Sequence, residues 1–325
     1  MKWVKRLVAV LVIAILAAAA YAIGTARRSE RPVGFQVMQV QSPGGPVAVA
    51  VWYPTSATPR PTTFVGGSLL SVARDGPVAG NRWPVVLVSH GNGGSALSHV
   101  DLAMDLASAG YVVAAPTHAG DNHADQIRQG SPALFNQRAD QMRSTLDHLL
   151  TAWPGASHVD SSRVGAYGMS AGAFTVLTLA GGTPRMAAIS GHCSRTPEFI
   201  CKALQHVKSP LLTGAEGTGS FSTDPRIKAA VIAAPGLGFT FADGGLAGVR
   251  IPVQLWSGDR VEAHRIPGAT HLSFLAPCGL LRPPAICADA DGFDREAVHA
   301  SMNTDVARFF DARMPSTTPA SGRAP

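Results

Sequence analysis

The sequence predicts an α/β fold: a mostly parallel sheet with helices on both faces, opened by an antiparallel hairpin. Three observations predict it. Short runs that are apolar at nearly every residue alternate with helix-length amphipathic runs, as they must where strands are buried on both faces. Near the start, two strand-like segments are joined by Ser42-Pro43-Gly44-Gly45-Pro46, a turn composition. Finally, Gly168-Met169-Ser170-Ala171-Gly172 separates an extended run from a helix-compatible one, so a strand must reverse sharply into a helix at Ser170.

The elements follow in order. Residues 34–41 and 47–53 form the hairpin, and 54–82, rich in Pro, Gly, Ser and Thr, read as loop. Residues 85–89 are a buried strand. A helix over 97–109 ends at Gly110, and the next strand, 111–115, stops at Pro116. Residues 135–153 form a long amphipathic helix with Met142, Leu146, Leu149 and Leu150 on one face and Arg138, Asp140, Arg143 and Asp147 elsewhere. Residues 163–167 lead into the serine. The stretch 181–226 breaks the alternation and reads as an insertion over the site. Strands at 229–234 and 252–257 and a closing helix at 294–311 complete the body. Residues 314–325 read as a disordered tail, which leaves one domain over 31–313, with no repeat of 20–50 residues.

Residues 1–30 precede that domain. Lys2, Lys5 and Arg6 are followed by an apolar run, 7–23, and Ala20-Tyr21-Ala22 fits a small-x-small cleavage site. The run also reaches the low end of a membrane span, so a cleaved signal peptide and a membrane anchor through residues 7–23 both fit. Either places the body outside the cytoplasm, periplasmic or secreted. The formal charge of +6 is concentrated in this segment, which carries a net +4. The remainder has no dense Lys/Arg stripe, which argues against a nucleic-acid partner. Cys193, Cys201, Cys278 and Cys287 fall as two local pairs. Three connectivities exist, and local pairing is the simplest in an oxidising compartment. None forms a zinc knuckle with matched histidines, so no metal is expected.

The chemistry centres on Ser170. A serine needs a base, and the base needs a third group to orient it. Asp259 follows the strand at 252–257, and His271 follows in Pro267-Gly268-Ala269-Thr270-His271, giving the chain order Ser170, Asp259, His271. Glu262 and Asp243 are fallback acids. An oxyanion needs two backbone N–H groups. Ala171 supplies one directly after the serine. Asn92, in His90-Gly91-Asn92-Gly93-Gly94 after the strand at 85–89, supplies the other. His118, Asp121 and His90 read as groups that stabilise loops, and His192 belongs to the insertion.

These motifs, with Ala114-Ala115-Pro116-Thr117-His118-Ala119-Gly120-Asp121 and Asp224-Pro225-Arg226-Ile227-Lys228-Ala229, resemble the α/β-hydrolase fold in its dienelactone-hydrolase-like branch, close in style to platelet-activating-factor-acetylhydrolase-like esterases. The resemblance spans roughly 34–312. It implies hydrolysis of a small-molecule or lipid-like carboxylic ester through an acyl-serine, with no metal and no organic cofactor. Thioesterase, lactonase, peptidase and acyltransferase chemistry would use the same residues. One departure stands out: if 264–267 is a remnant strand, 260–263 are the whole crossover before it. Four extended residues reach only about 13–14 Å, too short for a crossover helix. Either His271 arrives from a loop, or the last strand is rebuilt, or the triad is impaired and the protein is a non-catalytic hydrolase-like one.

Overall fold

The computed structural model describes residues 2–64, 69–196, 198–215, 221–257, 264–279 and 283–316. Helix α1 (Lys2–Thr25) is exposed at its described side chains and is long and apolar enough to cross a membrane. The packed body begins at Ala26, which is buried, rather than at 31. Arg27 exchanges backbone hydrogen bonds with the start of a strand at Leu69 and Ser71, and its guanidinium pairs with Asp105 at 3.0 Å.

The sheet has ten strands: β1 (Val33–Val40), β2 (Val47–Pro54), β3 (Arg60–Thr63), β4 (Leu69–Arg74), β5 (Trp83–Ser89), β6 (Val112–Pro116), β7 (Val159–Met169), β8 (Ile227–Ala233), β9 (Val253–Ser257) and β10 (His264–Arg265). Their order is β10-β9-β8-β7-β5-β6-β2-β1-β4-β3. From β6 to β10 every pairing is parallel, and the β1–β2 hairpin joins antiparallel to β6. The segment expected as loop, 54–82, instead holds β3 and β4, with β4 parallel to β1. Its prolines and glycines hid them. Pro61 is tolerated because β3 is an edge strand and needs no donor on its outer side.

Two apolar layers fill the faces. On one side α3 (Pro132–Thr151) and α4 (Ala171–Leu179) pack against Val85, Leu87, Val112 and Ala166. On the other α2 (Val100–Ala109) and the closing helix, Arg295–Arg313, cover Val86, Val88, Val113 and Tyr167. Within the 181–226 insertion lie α5 (Ala188–Arg195) and α6 (Phe199–His206), joined by the Cys193–Cys201 disulfide. A short α7 (Pro284–Cys287) carries the Cys278–Cys287 disulfide and precedes the closing helix, α8. Both bridges are the local pairs. Met314, expected in the tail, is buried and its carbonyl accepts from Arg163 Nε at 2.7 Å, so the packed body runs through it. Residues 317–325 of the expected tail lie outside the described residues.

Candidate active site

Ser170 is the single residue between β7 and α4. Its φ of 57° and ψ of −118° place it in a region that costs a non-glycine residue about 1–3 kcal/mol. The surroundings impose it: Ser170 N–H donates to Ala233 O at 3.0 Å, and its carbonyl accepts from Gly236 N–H at 3.1 Å. The two flanking glycines are required by contact. A Cβ on Gly168 would lie 2.2 Å from Gly172 O, and one on Gly172 would lie 1.9 Å from Ser89 O. The strand and helix therefore approach to within less than a side-chain atom, and the serine is left at the carboxyl edge of the sheet.

His271 reaches the serine from the far side of the chain. Its Nε2 lies 2.8 Å from Ser170 Oγ. It sits not on a strand but at the start of a 3₁₀ turn, His271–Phe274, after the two-residue β10. That turn is held from three directions. Thr270 and Ser273 cap it reciprocally. Ser273 Oγ donates to Asp289 at 2.7 Å, and Asp289 is gripped by Arg295 through two 2.8 Å contacts. Ser273 O faces His299 Nε2 at 2.9 Å, while His299 Nδ1 faces Asp101 Oδ2 at 2.6 Å. Both ring nitrogens of His299 meet acceptors, so both carry protons and the ring is an imidazolium. Burial opposes that charge, but the hydrogen bond and charge of Asp101 outweigh burial and raise the His299 pKa. Burial alone would raise Asp101 as well; His299 and Asn303 overcome it and hold its carboxyl well below the usual range. For His271 itself, burial lowers the pKa below 6.5.

The loop 90–94 lies against the nucleophile. A Cβ on Gly91 would meet Ser170 Cβ at 3.3 Å. Asn92 and Ala171 line one small cavity of about 20 Å³ beside the serine, and neither N–H meets an acceptor among the described residues. A buried ion pair holds this loop in place. Arg138 and Asp121 are both fully buried, 2.6 Å apart. Asp121 Oδ1 accepts from Gly93 N–H at 2.9 Å, and Arg138 donates to His90 O. His90 Nε2 accepts from His118 N–H at 3.0 Å, which leaves Nδ1–H to donate to Gly91 O at 2.6 Å. His118 bridges Ser89 Oγ and Gln141 Oε1. Burial first, and the Arg138 charge second, hold both histidines neutral. Arg138, expected away from the apolar face of its helix, is instead fully buried. It lies four residues before Met142, on the buried stripe, and burial is feasible because Asp121 compensates its charge.

Asp259 and Glu262 lie outside the described residues. Asp243 is exposed and pairs with Arg185. His192, in the insertion, stacks on Phe239 of the segment after β8, with ring centroids 3.6 Å apart. A cavity of about 710 Å³ opens over Ser170 and His271, walled by Met169, Leu272, Leu275, Phe199 and Ile200, so α6 of the insertion forms part of its wall. The groups the sequence did not single out are Asp101, His299, Asp289 and Arg295. For Arg295 and His299 the signal was polar residues set in the buried i, i+4 stripe of the closing helix, with Met302, Asn303, Val306 and Phe310.

The model of the dienelactone hydrolase family matches residues 72–231, from within β4 through the loop 90–94 and the Ser170 elbow into β8. Among solved structures, a ferulic acid esterase from Streptomyces cinnamoneus is similar, with a TM-score of 0.61 at 20% identity, covering 92% of this chain and 96% of that one. At that identity the likeness establishes the fold. No curated protein matches the sequence closely enough to report. The fold and the elbow define an α/β-hydrolase. Within that fold, residues 72–231 are similar to the dienelactone hydrolase family.

Proposed function

We propose that the protein is an exported serine esterase that cleaves carboxylic esters through an acyl-serine. The observation that carries this reading is the 2.8 Å contact between His271 Nε2 and Ser170 Oγ, made across 101 residues of sequence at a strained elbow. For Nε2 to accept the serine proton the ring must be neutral and protonated at Nδ1, and the lowered His271 pKa favours that state. Ser170 Oγ attacks the ester carbonyl carbon as its proton passes to Nε2. The oxyanion is bound by the N–H groups of Asn92 and Ala171. The C–O bond to the alcohol breaks as Nε2–H protonates the leaving oxygen. Water then attacks the acyl-serine, giving up a proton to Nε2, and collapse returns the acid and Ser170 Oγ–H. Asp259 takes the role of the group that holds Nδ1–H, by chain order.

Export is supported by two disulfides and the apolar N-terminal helix, as signal peptide or as anchor through residues 7–23. Cleavage after Ala22 would leave the attachment of Ala26 and Arg27 intact. The test is hydrolysis of p-nitrophenyl butyrate by the full chain and by its Ser170→Ala and His271→Ala variants. The expected loss in kcat is about 10⁴-fold or more in each, because removing one member disables the unit. An active Ser170→Ala variant would refute the assignment.

A further inference from the structure

The substrate cavity does not stop at the catalytic pair. Ser170 follows β7, yet the same cavity is lined by Thr117 beyond β6, Ala48 and Ala50 on β2, Val37 and Phe35 on β1, and Arg74 on β4. Those strands lie in the order β7-β5-β6-β2-β1-β4, five spacings along the sheet. At roughly 4.8 Å per spacing the cavity runs about 24 Å along a flat sheet, somewhat less on a twisted one. Strand alternation sets the floor. Val37 pairs with Ala50 and Gln39 with Ala48, so the two alanines and the two β1 residues point to one face, where small side chains leave a trough.

Along β2 and β1 the trough is lined by the apolar Ala48, Ala50, Val37 and Phe35. Among the described lining residues Arg74 is the one permanently charged side chain. It lies over the Phe35 ring, 5.8 Å from the centroid, is exposed, and has no carboxylate within ion-pair distance among the described residues. Its chain neighbour Asp75 acts on Tyr53, which packs on the opposite face of the sheet. A planar guanidinium with free donors is suited to a carboxylate or phosphate, which it can meet with two parallel hydrogen bonds.

We propose that the substrate is a long amphiphilic ester: its reacting carbonyl at Ser170, an extended apolar chain along the β6-β2-β1 trough, and a distal oxyanion bound by Arg74. The proposal rests on the esterase reading and names the substrate class of that same site. A short ester engages only the Ser170 end. A chain that spans the trough gains the Arg74 contact, and the gain weakens with salt because Arg74 is exposed.

The test measures kcat/KM for p-nitrophenyl esters of straight-chain acids from butyrate to hexadecanoate, for their ω-carboxy counterparts, and for ω-phosphoryl esters of the longest chains. All are run with the full chain and with Arg74→Gln, each normalised to butyrate. The expected result is an ω-anion preference of about fivefold that appears only in the long chains and disappears in Arg74→Gln, carried by KM rather than kcat. The carboxylate and phosphate arms identify which anion is favoured. A preference absent at every length, or one that persists in Arg74→Gln, overturns the proposal while butyrate turnover leaves the esterase reading standing. Binding of dodecanoate to the Ser170→Ala protein gives a readout free of turnover: Arg74→Gln weakens it about fivefold if the proposal holds, and leaves it unchanged if it does not.

Discussion

The Arg138–Asp121 pair supports a quantitative prediction. Both side chains are fully excluded from solvent and 2.6 Å apart, and between them they hold Gly93 N–H and His90 O in the loop 90–94. Replacing Asp121 with Asn keeps an oxygen that can accept from Gly93 N–H, so the change removes charge more than hydrogen bonding. What remains is a guanidinium buried without a counter-ion. Breaking a buried pair from one side costs about 3–5 kcal/mol. That is a large part of the 5–15 kcal/mol of a typical domain. The assay is urea unfolding of wild type, Asp121→Asn, Arg138→Met and the double variant, comparing midpoints at constant slope. Asp121→Asn should fall by about 3–5 kcal/mol. The double variant should be less destabilised than the sum of the singles by about 2 kcal/mol or more, because Arg138→Met removes the stranded charge. Strict additivity, or a loss below about 1 kcal/mol in Asp121→Asn, would refute the claim that this pair anchors the loop.

Three further outcomes follow from the same geometry. The acid limb of the kcat/KM profile should have its midpoint below 6.5, since burial lowers the His271 pKa and the base stays neutral into mildly acidic solution; a midpoint at or above 6.5 contradicts the burial argument. Gly172→Ala should leave little folded protein, as its Cβ would sit 1.9 Å from Ser89 O, a backbone atom that cannot swing away; circular dichroism and expression yield report it. His299 has a folded pKa raised above its unfolded value, so its stabilisation is full below about pH 6.5 and is lost as pH rises through the folded pKa. Asp101 is shifted the other way, so its contribution is present above its ordinary value of 3.8 and fades only in stronger acid. His299→Gln should therefore cost more stability at pH 6 than at pH 9 in thermal melts, and an equal loss at both would show that the ring is not charged in the fold.

Much of this was legible in the sequence, for identifiable reasons. The continuous apolar runs at 85–89 and 111–115 could only be strands buried on both faces. Gly168 and Gly172 announced a close backbone crossing that the contacts at Gly172 O and Ser89 O now explain. The local cysteine pairs were readable from spacing. Strands β3 and β4 were not, because an edge strand tolerates the Pro and Gly that otherwise mark a loop. Arg138 and His299 escaped notice because pattern reading assigns charged residues to the outside, and only the partner across the fold, Asp121 or Asp101, reveals that burial is compensated. The short connection before His271 lies, over 258–263, outside the described residues. The structure places the histidine at the serine on a 3₁₀ turn anchored by the Asp289–Arg295 and Asp101–His299 pairs.

The most direct test of the central claim is fluorophosphonate labelling of the folded protein followed by peptide mapping. One residue, Ser170, should be labelled, with labelling abolished in Ser170→Ala and severely slowed in His271→Ala. A folded protein that does not label, or one that labels equally well without His271, would contradict an activated serine at this elbow.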